Sequence, residues 1–327
     1  MLTRIIQRNK GFHCLAIGVF LFSFNTLVPG QISLAPPATT DAAEIFAPGL
    51  ISTFFNERDF ALNGNKDLLC FTIASFDNKK RCIVCAKKET DGWSNPDIVS
   101  FSGLYDDLEP FFAPNGQKLF FASNRPLPGE TLTDDYNIWF TEVTDGNWKE
   151  PIPLDTTINQ KGDEFYPSVA FNGNLYFTAT RKDGIGKEDI FMAEYDGTAF
   201  AKPVVLPTQI NSETYEFNAF INPSEDLLIF SSYGRKDDLG GGDLYFSKKD
   251  NNGKWSEAKH LPAPVNSKKL DYCPFFDEVN QTLYFSSNRK KSEISEFRSI
   301  DKFKAEQVSI LNGFDNIFKI NAKMLFD

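Results

Sequence analysis

The chain has 327 residues, is 14% aromatic with 33 Phe, and sets 44 acidic against 34 basic side chains for a formal charge of −10. This length suits one large domain or two ordinary ones, and the negative balance repels phosphate backbones and anionic lipid, excluding nucleic acid as a main partner. With only two His, there is little for a His-dependent triad or a multi-histidine metal centre.

Residues 1–30 read as a secretory signal peptide. Arg4, Arg8 and Lys10 precede an apolar run from Cys14 to Phe22, and Val28-Pro-Gly30 puts small residues before a cut at Gln31. The uncharged stretch is shorter than the ~20 residues a spanning helix needs, so an anchor is the lesser reading and no stable membrane insertion is expected after cleavage. Residues 31–43, with Pro36-Pro37 and Thr39-Thr40, read as a flexible lead, and 44–327 as the folded domain.

From Glu57 onward one pattern restarts five times. The copies are Glu57-Arg-Asp-Phe…Leu69-Cys-Phe-Thr-Ile-Ala-Ser75, Glu109-Pro-Phe-Phe…Leu119-Phe-Phe-Ala-Ser-Asn-Arg125, Glu164-Phe-Tyr-Pro…Leu175-Tyr-Phe-Thr-Ala-Thr-Arg181, Glu216-Phe-Asn-Ala…Leu228-Ile-Phe-Ser-Ser-Tyr-Gly-Arg235, and Asp271-Tyr-Cys-Pro…Leu283-Tyr-Phe-Ser-Ser-Asn-Arg289. A period of about fifty residues built from short strands predicts an all-β, single β-propeller of four-stranded antiparallel blades.

The third copy lays out one blade. Tyr166–Phe171 is expected as strand a, Asn172-Gly173-Asn174 as a hairpin turn and Leu175–Thr180 as strand b; Asp189–Tyr195 follows as strand c and Phe200–Leu206 as strand d. Strand c recurs at Asn137-Ile-Trp-Phe-Thr-Glu142, at Asp243-Leu-Tyr-Phe-Ser247 and in weaker form at Arg81-Cys-Ile-Val-Cys85, followed by turns with Trp148, Trp255 and Trp93 respectively. In the fifth copy a charged insertion from Lys290 precedes strand c at Asn316–Asn321, and no strand d follows. Open sheet edges are a liability, so Phe46–Ser52 is expected to supply the missing outer strand and close the ring. Five blades are expected, with six as the alternative count.

The pattern Glu-x-x-Pro…Asn-Gly-x-x-Leu-x-Phe-x-Ser-Asn-Arg…Asp-Ile-Tyr, present as Glu109-Pro…Asn115-Gly116…Leu119-Phe-Phe-Ala-Ser-Asn-Arg125 and Asp243-Leu-Tyr245, resembles the WD-like propeller repeats of TolB-like exported bacterial proteins over about residues 44–322. The resemblance implies a propeller that serves mainly as a binding scaffold. It also implies six blades and a separate N-terminal domain, whereas this chain shows five repeats and no such domain.

In such a blade the acids opening strand a approach the arginines closing strand b. Glu109, Glu164, Glu216 and Asp271 are thereby expected to pair with Arg125, Arg181, Arg235 and Arg289, either to pin the loops or to hold a polar ligand near the axis. Glu57 has no matching Arg. The loops on this face vary more than the strands, which favours it for function.

Cys82-Ile-Val-Cys85 falls on a strand, where residues three apart face opposite sides, and no second close Cys or His pair completes a zinc site. Cys70 and Cys85 can lie across a hairpin, leaving a disulfide or buried thiols as the two readings. The run Lys236–Asp243 offers oxygen ligands but not the spacing of a calcium loop. No metal, cofactor or catalytic residue is assigned. The expected function is an exported, non-catalytic binding scaffold, periplasmic or secreted and monomeric by default, for a protein or glycan of the cell envelope. The alternative is a carbohydrate-active hydrolase using two carboxylates near the axis.

Overall fold

Period-two alternation of Phe, Tyr, Ile and Leu with small polar residues makes each copy a set of strands whose two faces are both covered by neighbouring sheets. The structure, a computed structural model, describes residues 31–326 except 132–134, 145–146 and 292–295, so the expected signal peptide lies outside the described residues. Five antiparallel sheets are arranged as the blades of one propeller. Blade one has strands a Asn56–Leu62, b Leu68–Ala74, c Arg81–Glu89 and d Asp97–Ile98; blade two has Asp107–Phe112, Lys118–Ser123, Asn137–Thr144 and Ile152–Pro153. Blade three has Glu164–Val169, Leu175–Ala179, Asp189–Ala193 and Val204–Val205; blade four has Tyr215–Ile221, Leu227–Tyr233, Asp243–Lys248 and Lys259–His260. Blade five has Asp271–Asp277, Thr282–Ser287 and Asn316–Asn321, and its fourth strand is Glu44–Ile45.

The ring is therefore closed by an N-terminal strand, but not by the one expected. Glu44 faces Lys319 and Ile45 faces Phe318, and the Phe46 N–H continues the ladder to the Ile317 carbonyl at 2.8 Å. Ala47 then takes a positive φ and turns the chain, so residues 47–52 form a turn rather than the outer strand. Phe46 itself is buried, edge-on to Phe60 and Tyr284 at 5.2 and 5.1 Å. Strand d of blade three likewise shrinks from the expected Phe200–Leu206 to Val204–Val205. Short outer strands leave little unpaired edge.

The expected flexible lead is packed against blade five. Ile32 is buried, Lys319 Nζ donates to the Ser33 and Ala35 carbonyls, and Asn321 Nδ2 donates to Pro37 O. Its Pro and Thr content suggests a loose linker, yet one buried Ile and these bonds hold it to the sheet. The insertion of blade five carries the helix Ile300–Gln307, capped by the Ser299 hydroxyl and with no residue buried.

Candidate functional site

An outer ring of clamps lies on the face where strand a begins and strand b ends. Arg181 meets Glu164 at 2.9 Å, Arg235 meets Glu216 at 2.9 Å, and Arg289 meets Asp271 at 2.8 Å. Each guanidinium also donates to carbonyls of the loop entering its blade: Arg181 to Ile158, Arg235 to Ile210, Arg289 to Pro264 and Val265. Each acid in turn accepts a backbone N–H from that loop, from Gln160, Ser212 and Ser267. Planar guanidinium forks suit this double duty. Burial pushes Glu164 up to about 7 despite Arg181, and raises Asp271 despite Arg289.

In blade two the expected pairing of Glu109 with Arg125 does not form. Arg125 binds Asp107 instead, at 2.6 Å, because strand a starts two residues earlier. Pro110 marks the register, standing where Pro167 and Pro274 stand in their copies, which makes Asp107 the counterpart of Glu164 and Asp271. A second marker lies five residues before each acid. Asn159, Asn211 and Asn266 each accept the N–H of Ile138, Ile190 and Leu244 and return a bond to the same residue's carbonyl. Ser52 and Ser102 take this place before Glu57 and Asp107, bonding Ile317 and Ile83. These five latches tie each entering loop to the outer part of the preceding blade, and the sequence reading missed them.

An inner ring occupies the axis. Every strand a is interrupted by a register shift, and there Asp59, Glu109, Tyr166, Asn218 and Cys273 adopt φ values of 61, 60, 49, 49 and 52°. A bulge in the left-handed region redirects a side chain out of the strand's alternation, and here it brings one residue per blade together. Glu109 accepts from Arg58 at 2.8 Å, from the Tyr166 N–H at 2.7 Å and from Asn218 Nδ2 at 3.3 Å. Arg58 also binds both oxygens of Asp59 at 2.9 Å, and the Cys273 thiol donates to Asn218 Oδ1. Burial lifts Glu109 to about 7, with Arg58 opposing. Phe111, Phe220 and Phe275 lie beyond this ring, in edge and tilted contact. The axis is thus filled by a polar layer over an aromatic one.

Glu57 stands apart from the other opening acids. It accepts from the Thr53 N–H at 3.0 Å and from Asn316 Nδ2 of blade five at 3.1 Å, and bonds the Thr53 hydroxyl. With no cation paired to it among the described residues, burial pushes it to about 7. Above it Phe54, Phe55, Phe76 and Phe314 form a surface cluster, with centroids of Phe54–Phe55 and Phe55–Phe76 at 4.7 and 4.9 Å. Phe76 is 52% exposed.

Solved structures similar to this chain include TolB proteins. The Agrobacterium tumefaciens protein described as a putative TolB is 11% identical, with a TM-score of 0.48 over 74% of this chain and 73% of that one. TolB from Acinetobacter baumannii is also 11% identical, with a TM-score of 0.45 over 82% of this chain and 55% of that one. An α-L-arabinofuranosidase from Podospora anserina in complex with cellotriose is 11% identical, with a TM-score of 0.48 over 89% and 93%. Neither a protein-family model nor a curated protein matches the sequence. The likeness is to the framework and brings no substrate with it.

Cys70 and Cys85 face each other in adjacent strands of blade one and are joined by a disulfide; Cys82 and Cys273 are free. Among the described residues no group of three or more His, Cys, Asp or Glu is placed to hold a metal. No helix among them is long and apolar enough to cross a membrane. The Lys236–Asp243 run is a turn whose Gly240 and Gly241 pack on the 268–270 backbone too closely for a Cβ.

Proposed function

We propose that this chain is an exported, non-catalytic scaffold that offers its loop-rich face to a protein or glycan of the cell envelope. One observation carries the reading: the repeated carboxylates are already engaged. Asp107, Glu164, Glu216 and Asp271 are bound to arginines of their own blades, Glu109 is bound to Arg58 and Glu57 is held by Thr53 and Asn316. A glycoside hydrolase needs two carboxylates facing across space for a sugar and, in the inverting case, a water. The cavity on the axis, about 160 Å³, is lined by none of these six acids. The loop-rich face instead carries the Phe54, Phe55, Phe76 and Phe314 cluster, whose rings suit a sugar face or an apolar side chain.

A glycan array and a pull-down from envelope extract, both with the purified protein, test this. Capture of a defined sugar or protein that Phe76→Ala weakens at least tenfold, with no sugar turnover, is the expected result. Oligosaccharide cleavage that disappears in Glu57→Gln would overturn it in favour of the hydrolase.

A further inference from the structure

The axial cavity at the opposite end of the propeller, where strands a and b are joined by hairpins, is a second candidate site. All five strands a end around it: Leu62 from blade one, Phe112 from blade two, Val169 from blade three, Ile221 from blade four and Phe276 from blade five line its wall. Phe111, Phe220 and Phe275, also among its lining residues, belong to the aromatic layer under the polar ring. Its volume of about 160 Å³ is close to the ~150 Å³ apolar cavity that accepts benzene, so it fits one Leu- or Phe-sized group.

The mouth is acidic. Its charged lining residues are Lys66, Asp277 and Glu278, and the adjoining hairpins add Asp67, Asp226 and Glu225, the last paired with Lys249 at 3.3 Å, with Lys118 opening the strand after the second hairpin. Lys66 is itself held by both oxygens of Asp277, at 2.7 and 2.8 Å. Beyond the mouth, Val279 and Phe171 are 82% and 76% exposed, extending the apolar surface past what one small molecule covers.

We propose that this mouth binds a peptide segment in which one aromatic or branched aliphatic side chain is flanked by Lys or Arg. The apolar side chain fills the cavity, and the flanking cations meet Glu278 at its rim and Asp226 and Asp67 on the hairpins beside it. Specificity divides between shape in the cavity and charge at the rim. This site is separate from the loop-rich face and does not depend on what that face binds.

The test is calorimetry on the purified protein with acetylated, amidated pentapeptides Gly-Lys-X-Lys-Gly, where X is Phe, Leu or Gly, and with Gly-Asp-Phe-Asp-Gly. Phe and Leu peptides are expected to bind at least tenfold more tightly than the Gly peptide, and the Asp-flanked peptide at least tenfold more weakly than its Lys counterpart. Val169→Phe fills the cavity and should abolish binding, while Phe76→Ala on the other face should leave it unchanged. Should Val169→Phe fail to fold, Glu278→Lys, at a partly exposed rim position, reverses the charge and should invert the preference between Lys- and Asp-flanked peptides. Equal or absent binding across the peptides, or binding unaltered in the variant read, overturns the proposal. Phenethylammonium binding as tightly as the Phe peptide overturns its peptide part.

Discussion

Blade one and the four that follow solve the same problem with different chemistry. In blades two to five the acid opening strand a is gripped by an arginine from the end of strand b in the same sheet. In blade one the b–c connection is short and carries no arginine, and Glu57 reaches instead to Thr53 and to Asn316 of blade five. The first arrangement fixes a loop to its own blade. The second fixes the seam where the ring closes, using amide and hydroxyl groups in place of a cation. Repetition therefore marks what each blade needs, and departure from it marks where two ends of the chain meet.

The largest test of this contrast is to break one clamp. Arg181→Ala leaves Glu164 buried without its cation, the pair having side-chain exposures of 9% and 2%, and is expected to cost about 3–5 kcal/mol in urea unfolding. At pH 8, adding Glu164→Gln to that variant should recover part of the loss, since no buried carboxyl then has to ionise or take up a proton on folding. Next in size is the covalent tie peculiar to blade one. Replacing Cys70 and Cys85 by Ser frees a loop of sequence separation 15, and should lower stability by about 3 kcal/mol.

The seam acid gives a pH signature. Glu57 titrates near 7 in the fold but at ~4.3 when unfolded, so the folded state holds its proton more tightly. Its contribution is complete below ~4.3 and is lost as pH rises through about 7. Glu57→Gln should therefore raise stability at pH 8 by about 1–3 kcal/mol and leave pH 4 little changed, as measured by thermal melts across that range. Equal gains at both pH values would show that the carboxyl is not protonated in the fold. The smallest effect is expected in the axial ring: Tyr166→Phe removes one bond, to the Pro274 carbonyl at 3.1 Å, and should cost about 1 kcal/mol by urea titration.

Architecture was legible in the sequence because it rests on periodic features: the aromatic alternation, the Asn-Gly and Asp-Gly turns and the recurring Arg at the end of strand b. The candidate site was legible only in part. Glu164, Glu216 and Asp271 lie where the repeat places them, but Glu109 does not. Matching its Glu-Pro to the first residue of the other copies hides a two-residue shift that Pro110, matched to Pro167 and Pro274, would have exposed. The axial ring was not foreseen, since its members, Asp59, Glu109, Tyr166, Asn218 and Cys273, share a backbone conformation and no side-chain chemistry. The closing strand was misplaced because Phe46–Ser52 reads as extended until the positive φ of Ala47 bends it. Seam-crossing bonds such as Asn316 to Glu57 join residues too far apart in the chain for local pattern to reveal.

Because Glu44–Phe46 completes a sheet whose other strands belong to the fifth repeat, the first strand of the propeller to be synthesised has no partner until the fifth blade has been made. Until then the blades form an unclosed array. Removing either residues 44–46 or residues 316–321 should open the same sheet, so proteolytic trimming from opposite ends of the propeller would yield one common loss of structure.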